Sequence, residues 1–203
     1  MCLNNIGTIT AYLDLFKANP AEQELLYQDI LIPVTEFFRD PLTSDAIRES
    51  LLPLLFAGKE EGSSLRFWIA GCSTGEETYS MAICLNEYLG ARAAAFQIHI
   101  FSTDISEKSI AIARKGIYSR TEMGGLSPER LERYFEKVAG SYHVNKSIRE
   151  MCVFAHHNFL KMPPFARMDL ISCRNVLIYM EPFLQKKVLA TFHYALKENG
   201  YLL

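Results

Sequence analysis

The feature that most constrains the fold is an alternation, beginning near residue 65, of short apolar segments with longer amphipathic ones. Each apolar segment has the length of a buried strand, and the amphipathic segments repeat their apolar residues at helical spacing. This alternation is typical of a mostly parallel sheet wrapped by helices, an α/β fold. The predicted strands cover residues 66–70, 97–102, 151–155 and 169–173.

Capping residues, glycines and prolines set the ends of the predicted helices. A short hairpin is predicted around Ala139 and Gly140, and a new strand is expected to begin at Tyr201. We expect residues 1–41 to be the remnant of an N-terminal helical domain with its linker, and residues 42–203 to form the α/β domain. The predicted helices cover residues 12–30 with a break at Asn19-Pro20, 43–57, 76–89, 106–115, a segment beginning at Ser127-Pro128, and a long segment from Glu181-Pro182 to Gly200.

Composition excludes several classes of protein. The 203 residues include 21 basic and 23 acidic side chains, so no general positive charge indicates a nucleic-acid partner. No apolar stretch approaches the roughly 20 residues of a membrane span, and the first residues do not resemble a secretory signal. The five cysteines are odd in number and lack a CxxC pair, which predicts reduced thiols in a cytoplasmic protein without a metal site.

In a parallel sheet, ligands bind beyond the carboxyl ends of the strands. The first such loop, residues 71–75, contains Gly71 and is followed by Glu76 and Glu77. Two acids there favour a cationic or hydroxyl-bearing ligand over a pyrophosphate, although a tight turn before a charged helical turn explains the loop as well. After the second strand, Asp104 stands where a carboxylate binds a ribose diol, or where it caps a turn.

The later strand ends carry amide, aromatic and cationic side chains. Asn158 and Phe159 could hold the edge and the face of an adenine ring, and Arg174 and Asn175 form a polar cluster with Tyr179. Arg174 is equally explained as part of a structural salt bridge, and Tyr179 as a core aromatic residue. The preceding pair, 156–157, is two histidines, which point to opposite faces of a strand and cannot converge on one metal ion.

A segment before the sheet adds two candidates. Thr35 and Arg39 are four residues apart, so they share a face on a helical turn. Arginine beside an apolar pocket is a suitable clamp for a carboxylate. Phe37 and Phe38, between them, are expected in the core.

Taken in order, these segments resemble the CheR family of chemotaxis protein methyltransferases, from about residue 24 to residue 203. The wording of the first motif is most similar to forms fused to a methylesterase domain. The matching motifs are VTEFFRDP (34–41), GCSTGEETYSMA (71–82), FSTDIS (101–106), ARKGIYS (113–119), LSPERLERYF (126–135) and ISCRNVLIYM (171–180).

The resemblance implies a Rossmann-like class I methyltransferase that uses S-adenosylmethionine and releases S-adenosylhomocysteine. The implied acceptor is a glutamate side chain in the cytoplasmic domain of a chemoreceptor, and the implied location is the cytoplasm, without membrane insertion. Two residues are implied to orient the acceptor, Arg39 and Tyr179. The positions implied to bind the cofactor are Thr35, Arg39, Gly71, Glu77, Asp104, Asn158, Phe159, Arg174 and Asn175.

The sequence also departs from the family pattern. Pro33 stands where a polar residue is expected, and the resemblance implies truncation at both ends. Truncation favours an alternative function, a non-catalytic S-adenosylmethionine-binding module of a signalling protein, which the retention of Arg39 and Tyr179 opposes. A small-molecule methyltransferase or dehydrogenase of the same fold is a third alternative, and the two acids after Gly75 oppose a dinucleotide.

Overall fold

The computed structural model of the chain describes residues 6–23, 26 and 35–203. The chain divides into two compact units, Met1–Val34 and Thr35–Leu203. The domain boundary expected at 41/42 stays a prediction; Phe37 and Phe38, just before it, are buried in the core of the second unit.

The described part of the first unit is helical. Helix α1 (Ile9–Ala18) begins after Thr8, whose hydroxyl accepts a hydrogen bond from the amide of Ala11. Asn19 interrupts the helix at the predicted break, and residues 20–23 are helical again. Most of the remaining predicted helix, up to residue 30, and Pro33 lie outside the described residues.

The described strands are β1 (Ser64–Ala70), β2 (Gln97–Asp104), β3 (Ile117–Tyr118), β4 (Phe135–Val138), β5 (Ser141–Val144), β6 (Cys152–His156), β7 (Met168–Ser172) and β8 (Leu196–Leu202). Five of them form one parallel sheet in the order β6-β2-β1-β7-β8, and a smaller antiparallel sheet has the order β3-β5-β4. This confirms the α/β class, the four predicted strands and the hairpin at Ala139-Gly140.

Helices connect the strands of the second unit. Residues 41–56 are helical without a break, and a π-helical turn, Ile47–Leu51, joins the first two α-helices of this unit. Further helical turns, of 3-10 type, cover Gly90–Ala95, Arg120–Met123 and Leu177–Tyr179. The helices are α2 (Pro41–Ala46), α3 (Leu52–Phe56), α4 (Glu76–Leu89), α5 (Glu107–Lys115), α6 (Pro128–Tyr134), α7 (Lys146–Arg149) and α8 (Pro182–Ala195).

The predicted end of the last helix is wrong. Helix α8 ends at Ala195, and β8 begins at once with Leu196, which pairs with Met168. The next paired residue is Tyr201, so the intervening residues bulge from the ladder. Gly200 belongs to this bulge, where a Cβ would lie 2.8 Å from the carbonyl oxygen of Met168. The glycine thus permits a close approach of two strands rather than ending a helix.

The sheet separates two apolar clusters. The larger one includes alternate residues of β1 such as Phe67 and packs against α4. On the other face Trp68 is fully buried, with Phe165 and Phe192 edge-on to its ring at centroid distances of 5.1 and 5.2 Å. Its indole N–H donates to the hydroxyl of Thr103 at 2.9 Å. Because both faces are covered, the strands are apolar throughout, as the sequence indicated.

No helix in the part of the chain that the structure describes is long and apolar enough to cross a membrane.

A buried carboxylate ties the start of β7 to its neighbours. Asp169 accepts hydrogen bonds from the amide of Arg66 at 2.9 Å and from the ammonium of Lys197 at 2.7 Å, and the ammonium of Lys59 lies 3.5 Å away. Its side chain is 4% exposed. The cluster lies at the amino-terminal edge of the sheet, opposite the carboxyl ends of the strands.

We predict that Asp169→Ala lowers the free energy of unfolding by roughly 3–5 kcal/mol, because it leaves a partly buried ammonium and a backbone N–H without their acceptor. Urea unfolding followed by circular dichroism measures the effect. The control is Glu150→Ala, since the exposed pair that Glu150 forms with Lys146 contributes at most about 1 kcal/mol. Equal losses in the two variants would contradict the assignment.

Candidate active site

The loop between β1 and α4 is shaped by backbone hydrogen bonds to β2. The amides of Gly71 and Cys72 both donate to the carbonyl oxygen of Thr103, at 2.8 and 2.9 Å. Gly71 has φ +84°, and a Cβ there would overlap with the side chain of Val176. Glycine is therefore required at this position both by its conformation and by its close packing.

Asp104 joins that loop to the helix after β2. Its Oδ2 accepts the amide of Ser73 at 2.8 Å, and its Oδ1 accepts the amide of Ser106 at 2.9 Å. Ser106 in turn caps α5 through the amide of Ser109. The turn-capping role that the sequence left open is thus present, and each carboxylate oxygen keeps lone-pair capacity for a further donor.

Two carboxylates lie in the first turn of α4, Glu76 buried and Glu77 partly buried. Glu76 is 3% exposed and accepts hydrogen bonds from the hydroxyls of Thr74 and Thr35. Burial raises the pKa of Glu76, and these two hydroxyls oppose the rise. Thr35 therefore lies at the site, bonded to the neighbour of the predicted residue Glu77.

Glu77 lies among a hydroxyl and two guanidinium groups. Its Oε1 accepts the hydroxyl of Ser172 at 2.5 Å. Burial raises the pKa of Glu77, whereas the Ser172 hydrogen bond and the charges of Arg174 and Arg39 lower it. The structure thus brings together three predicted site residues, one from each of three separate segments of the chain.

Arg174 forms an ion pair with Asp40, a residue to which the sequence gave no role. The structural salt bridge that the sequence left open for Arg174 is therefore present. The carboxylate of Asp40 is about half exposed, and its charge raises the pKa of Glu77. Asn175 follows with φ +58°, is exposed, and begins the turn that leaves the sheet.

Asn158 and Phe159 lie in the loop after β6. The amide of His157 donates to the carbonyl oxygen of Asp104, which places this loop beside the second strand. The side-chain oxygen of Asn158 accepts the amide of Leu160 at 3.0 Å and so stabilises its own turn. The ring of Phe159 lies 5.6 Å from that of Phe192 in the second apolar cluster.

Among the described residues, no three His, Cys, Asp or Glu side chains are grouped so that they could hold a metal ion. His157 is buried, its Nε2 lies 3.0 Å from the carbonyl oxygen of Pro163, and its ring packs edge-on against Trp68.

Tyr179 is not part of the buried cluster. Its side chain is 83% exposed on a single 3-10 turn, beside the exposed Ile178. The core position that the sequence left open for Tyr179 is therefore wrong. The residue stands at the surface beyond β7, where an incoming macromolecule can reach it.

Sequence reasoning missed Tyr118, which supports the loop from beneath. Its hydroxyl donates to the carbonyl oxygen of Thr74 at 2.7 Å, and its ring meets Phe37 edge-on at 5.0 Å. Phe37 and Phe38 are buried as expected. Tyr118 lies within one of the matched motifs, which was the available signal. Ser172 also lies within a matched motif, at 171–180, but as one residue of a predicted apolar strand it was given no role of its own.

Comparison with known proteins connects this geometry to a family. Residues 33–203 match the family described as CheR methyltransferase, SAM binding domain. The chain is 39% identical over 202 residues to a 104.1 kDa protein from the hypE 3′ region of Rhodobacter capsulatus, covering all of this chain but only 21% of that protein. It is 35% identical to chemotaxis protein methyltransferase 1 of Pseudomonas aeruginosa, covering 89% of this chain and 67% of that one.

A solved structure supports the fold alone. The crystal structure of DszA carbon methyltransferase superimposes with a TM-score of 0.50 at 19% identity, over 80% of this chain and 34% of the other. With the match over residues 33–203, the conclusion is that the chain belongs to the CheR methyltransferase family and contains its S-adenosylmethionine-binding domain.

Proposed function

We propose that this domain binds S-adenosylmethionine at the carboxyl edge of its sheet and transfers the methyl group to a glutamate side chain of a chemoreceptor. The observation that carries the proposal is the cluster of one partly buried acid, Glu77, with two arginines, Arg39 and Arg174. Chemotaxis methyltransferases of Pseudomonas aeruginosa and Borreliella burgdorferi are among the relatives of the chain. That relationship supports our proposal of a receptor's cytoplasmic domain as the acceptor and of a cytoplasmic location.

The residues present fit the cofactor. Each oxygen of Asp104 accepts one backbone N–H and can accept one ribose hydroxyl as well. Beside it, the buried Oγ of Ser73 has no hydrogen-bond partner within the described ranges. A polar ligand would satisfy this orphaned hydroxyl. We assign the ribose to this part of the site, with Asn158 and Phe159 beside the adenine.

The methionine end of the cofactor carries an ammonium group, a carboxylate and the sulfonium. Glu77 offers a carboxylate to the ammonium, and Arg174 and Arg39 offer guanidinium groups to anionic oxygens. The acids in the first turn of α4 also suit the net positive charge of the ligand. In this structure Arg174 is paired with Asp40, so a ligand carboxylate would share the Arg174 guanidinium with Asp40 or displace Asp40 from it.

The transfer needs orientation more than proton chemistry. The bound cofactor supplies an activated methyl group, and an acceptor glutamate is ionised at neutral pH, so no general base is required. The chain must hold the acceptor oxygen in line, at roughly 3–3.5 Å from the methyl carbon. We assign this orientation to Arg39 and to the hydroxyl of Tyr179, which faces solvent where an acceptor arrives.

The exposure of Tyr179 also favours a second candidate, a non-catalytic S-adenosylmethionine-binding module. In that case the chain binds the cofactor and its product but transfers no methyl group to a receptor. Binding and transfer are therefore measured separately in the experiments below. A methylesterase or sensor domain fused to this one in a longer protein is compatible with either candidate.

We predict that Asp104→Ala weakens S-adenosylhomocysteine binding by roughly 1–3 kcal/mol, the cost of losing hydrogen bonds to a charged acceptor. Titration calorimetry measures the change. Glu107→Ala is the control, because Glu107 is an exposed acid in the first turn of the adjacent helix. Equal affinities of wild type and Asp104→Ala would remove Asp104 from the site.

We predict that neither Cys72 nor Cys173 is a nucleophile. Burial raises the pKa of the Cys173 thiol to about 12, and burial together with Asp104 and Glu77 raises the pKa of the Cys72 thiol well above its usual value. At neutral pH both are therefore thiols and not thiolates. Cys72→Ser and Cys173→Ser should each retain methyl transfer. Abolished turnover with normal folding and normal cofactor affinity would contradict this.

The acceptor is tested by the chemistry of the product. Receptor-containing membranes are labelled with the protein and methyl-labelled S-adenosylmethionine, then treated with alkali. A methyl ester releases volatile methanol, whereas methylamine linkages and aryl ethers retain the label. We predict release, and a loss of at least tenfold in the transfer rate of Arg39→Ala measured with both proteins saturated with cofactor, since Arg39 orients an anionic oxygen.

Arg92→Ala is the matched control, since Arg92 is exposed near the opposite edge of the sheet. Label that survives alkali would contradict a carboxylate acceptor. Cofactor binding by wild type without any label transfer would favour the non-catalytic module instead.

A further inference from the structure

Two buried serines lie at the same level of the sheet on either side of β1. Ile69 pairs with Ser102 of β2 and with Ser172 of β7, and both serines are fully buried. In parallel strands, register partners project their side chains from the same face. Both hydroxyls therefore meet the helix that follows β1.

The two serines bind successive residues in the first turn of α4. The hydroxyl of Thr78 donates to Oγ of Ser102 at 2.9 Å, which is a bond between neutral groups. The hydroxyl of Ser172 donates to Oε1 of Glu77 at 2.5 Å, so its acceptor is a carboxyl group that can carry charge. The pair thus offers a comparison within the protein, with the same residue type and burial but different acceptors.

The charges around Glu77 decide what the Ser172 bond can do. Arg39 and Arg174 attract the carboxylate, and Asp40 repels it. The thiols of Cys72 and Cys173 lie close enough to feel its charge. Burial raises the pKa of Glu77, and the hydrogen bond from Ser172 is the largest effect that opposes it.

We propose that Ser172 is a positioning residue of the cofactor site, whose hydroxyl holds the Glu77 carboxylate in place to receive the ammonium group of the ligand. The inference rests on the proposed function, because it takes Glu77 as the group that meets the ammonium. Ser172 acts through Glu77 and does not touch the ligand. If the Ser172 hydroxyl only fastened α4 to the sheet, its removal would change ligand affinity in the same way as removal of the Ser102 hydroxyl.

The test compares Ser172→Ala with Ser102→Ala by titration calorimetry with S-adenosylhomocysteine between pH 5.5 and 8.5 (about three units around neutrality). Loss of the Ser172 bond raises the pKa of Glu77, so the carboxylate becomes protonated at a higher pH and loses the ammonium there. We expect the acid limb of the affinity profile to move to higher pH in Ser172→Ala, so that its loss of affinity relative to wild type is larger at pH 5.5 than at pH 8.5. Ser102→Ala should keep the wild-type profile.

A second probe, 5′-methylthioadenosine, has the nucleoside and the sulfur but neither ammonium nor carboxylate. Its affinity should be the same in Ser172→Ala and wild type, and thermal unfolding should show that both serine variants fold. A shared weakening of both probes, or similar profiles for the two serine variants, would assign Ser172 a structural role and overturn the inference. Failure of the wild type to bind S-adenosylhomocysteine would overturn the proposed function and the inference together.

Discussion

The placement of two adjacent carboxylates at the start of α4, one buried and one partly buried, is the constraint on which the site depends. Removing Glu76 and Glu77 from water is costly unless other groups replace the lost hydration. Three hydroxyls and two guanidinium groups do so, and the amino-terminal end of the helix adds a favourable dipole. These groups come from separate segments of the second unit. Hydrogen bonds and charges that stabilise the two carboxylates therefore also bring residues 35–39 and the end of β7 to the start of α4.

The sequence predicted most of what local chemistry controls. The capped helix 106–115, the helix 76–89 and the strand ends all follow from apolar spacing and from residues such as Ser106 and Gly116. The wrong end of α8 shows the limit of that reasoning. Leu196 continues the four-residue apolar spacing of the helix, but its side chain packs equally well at the start of a strand.

The site was predictable at strand ends and much less so in its supporting contacts. Parallel topology places Glu77, Asp104 and Arg174 at one edge, and the resemblance to a family named the same positions. The ion pair of Asp40 and the hydroxyls of Ser172 and Tyr118 depend on how distant segments meet in three dimensions. Spacing along the chain carries no record of such contacts. Asp104 had two interpretations, and it serves as a turn cap whose oxygens keep lone-pair capacity for a further donor.

The separation of the bonded partners has a consequence for how the site comes into being. Glu77 and Ser172 are 95 residues apart, and Asp40 and Arg174 are 134 apart. A contact between residues so far apart in sequence offsets the entropy lost in closing the loop only when the strands between them are also packed. The site therefore exists only in chains in which the segment around Asp40, α4 and the end of β7 have docked together, and a chain with its helices alone lacks these paired groups. A cell that synthesises this chain obtains a competent binding site only from molecules that have completed the whole sheet.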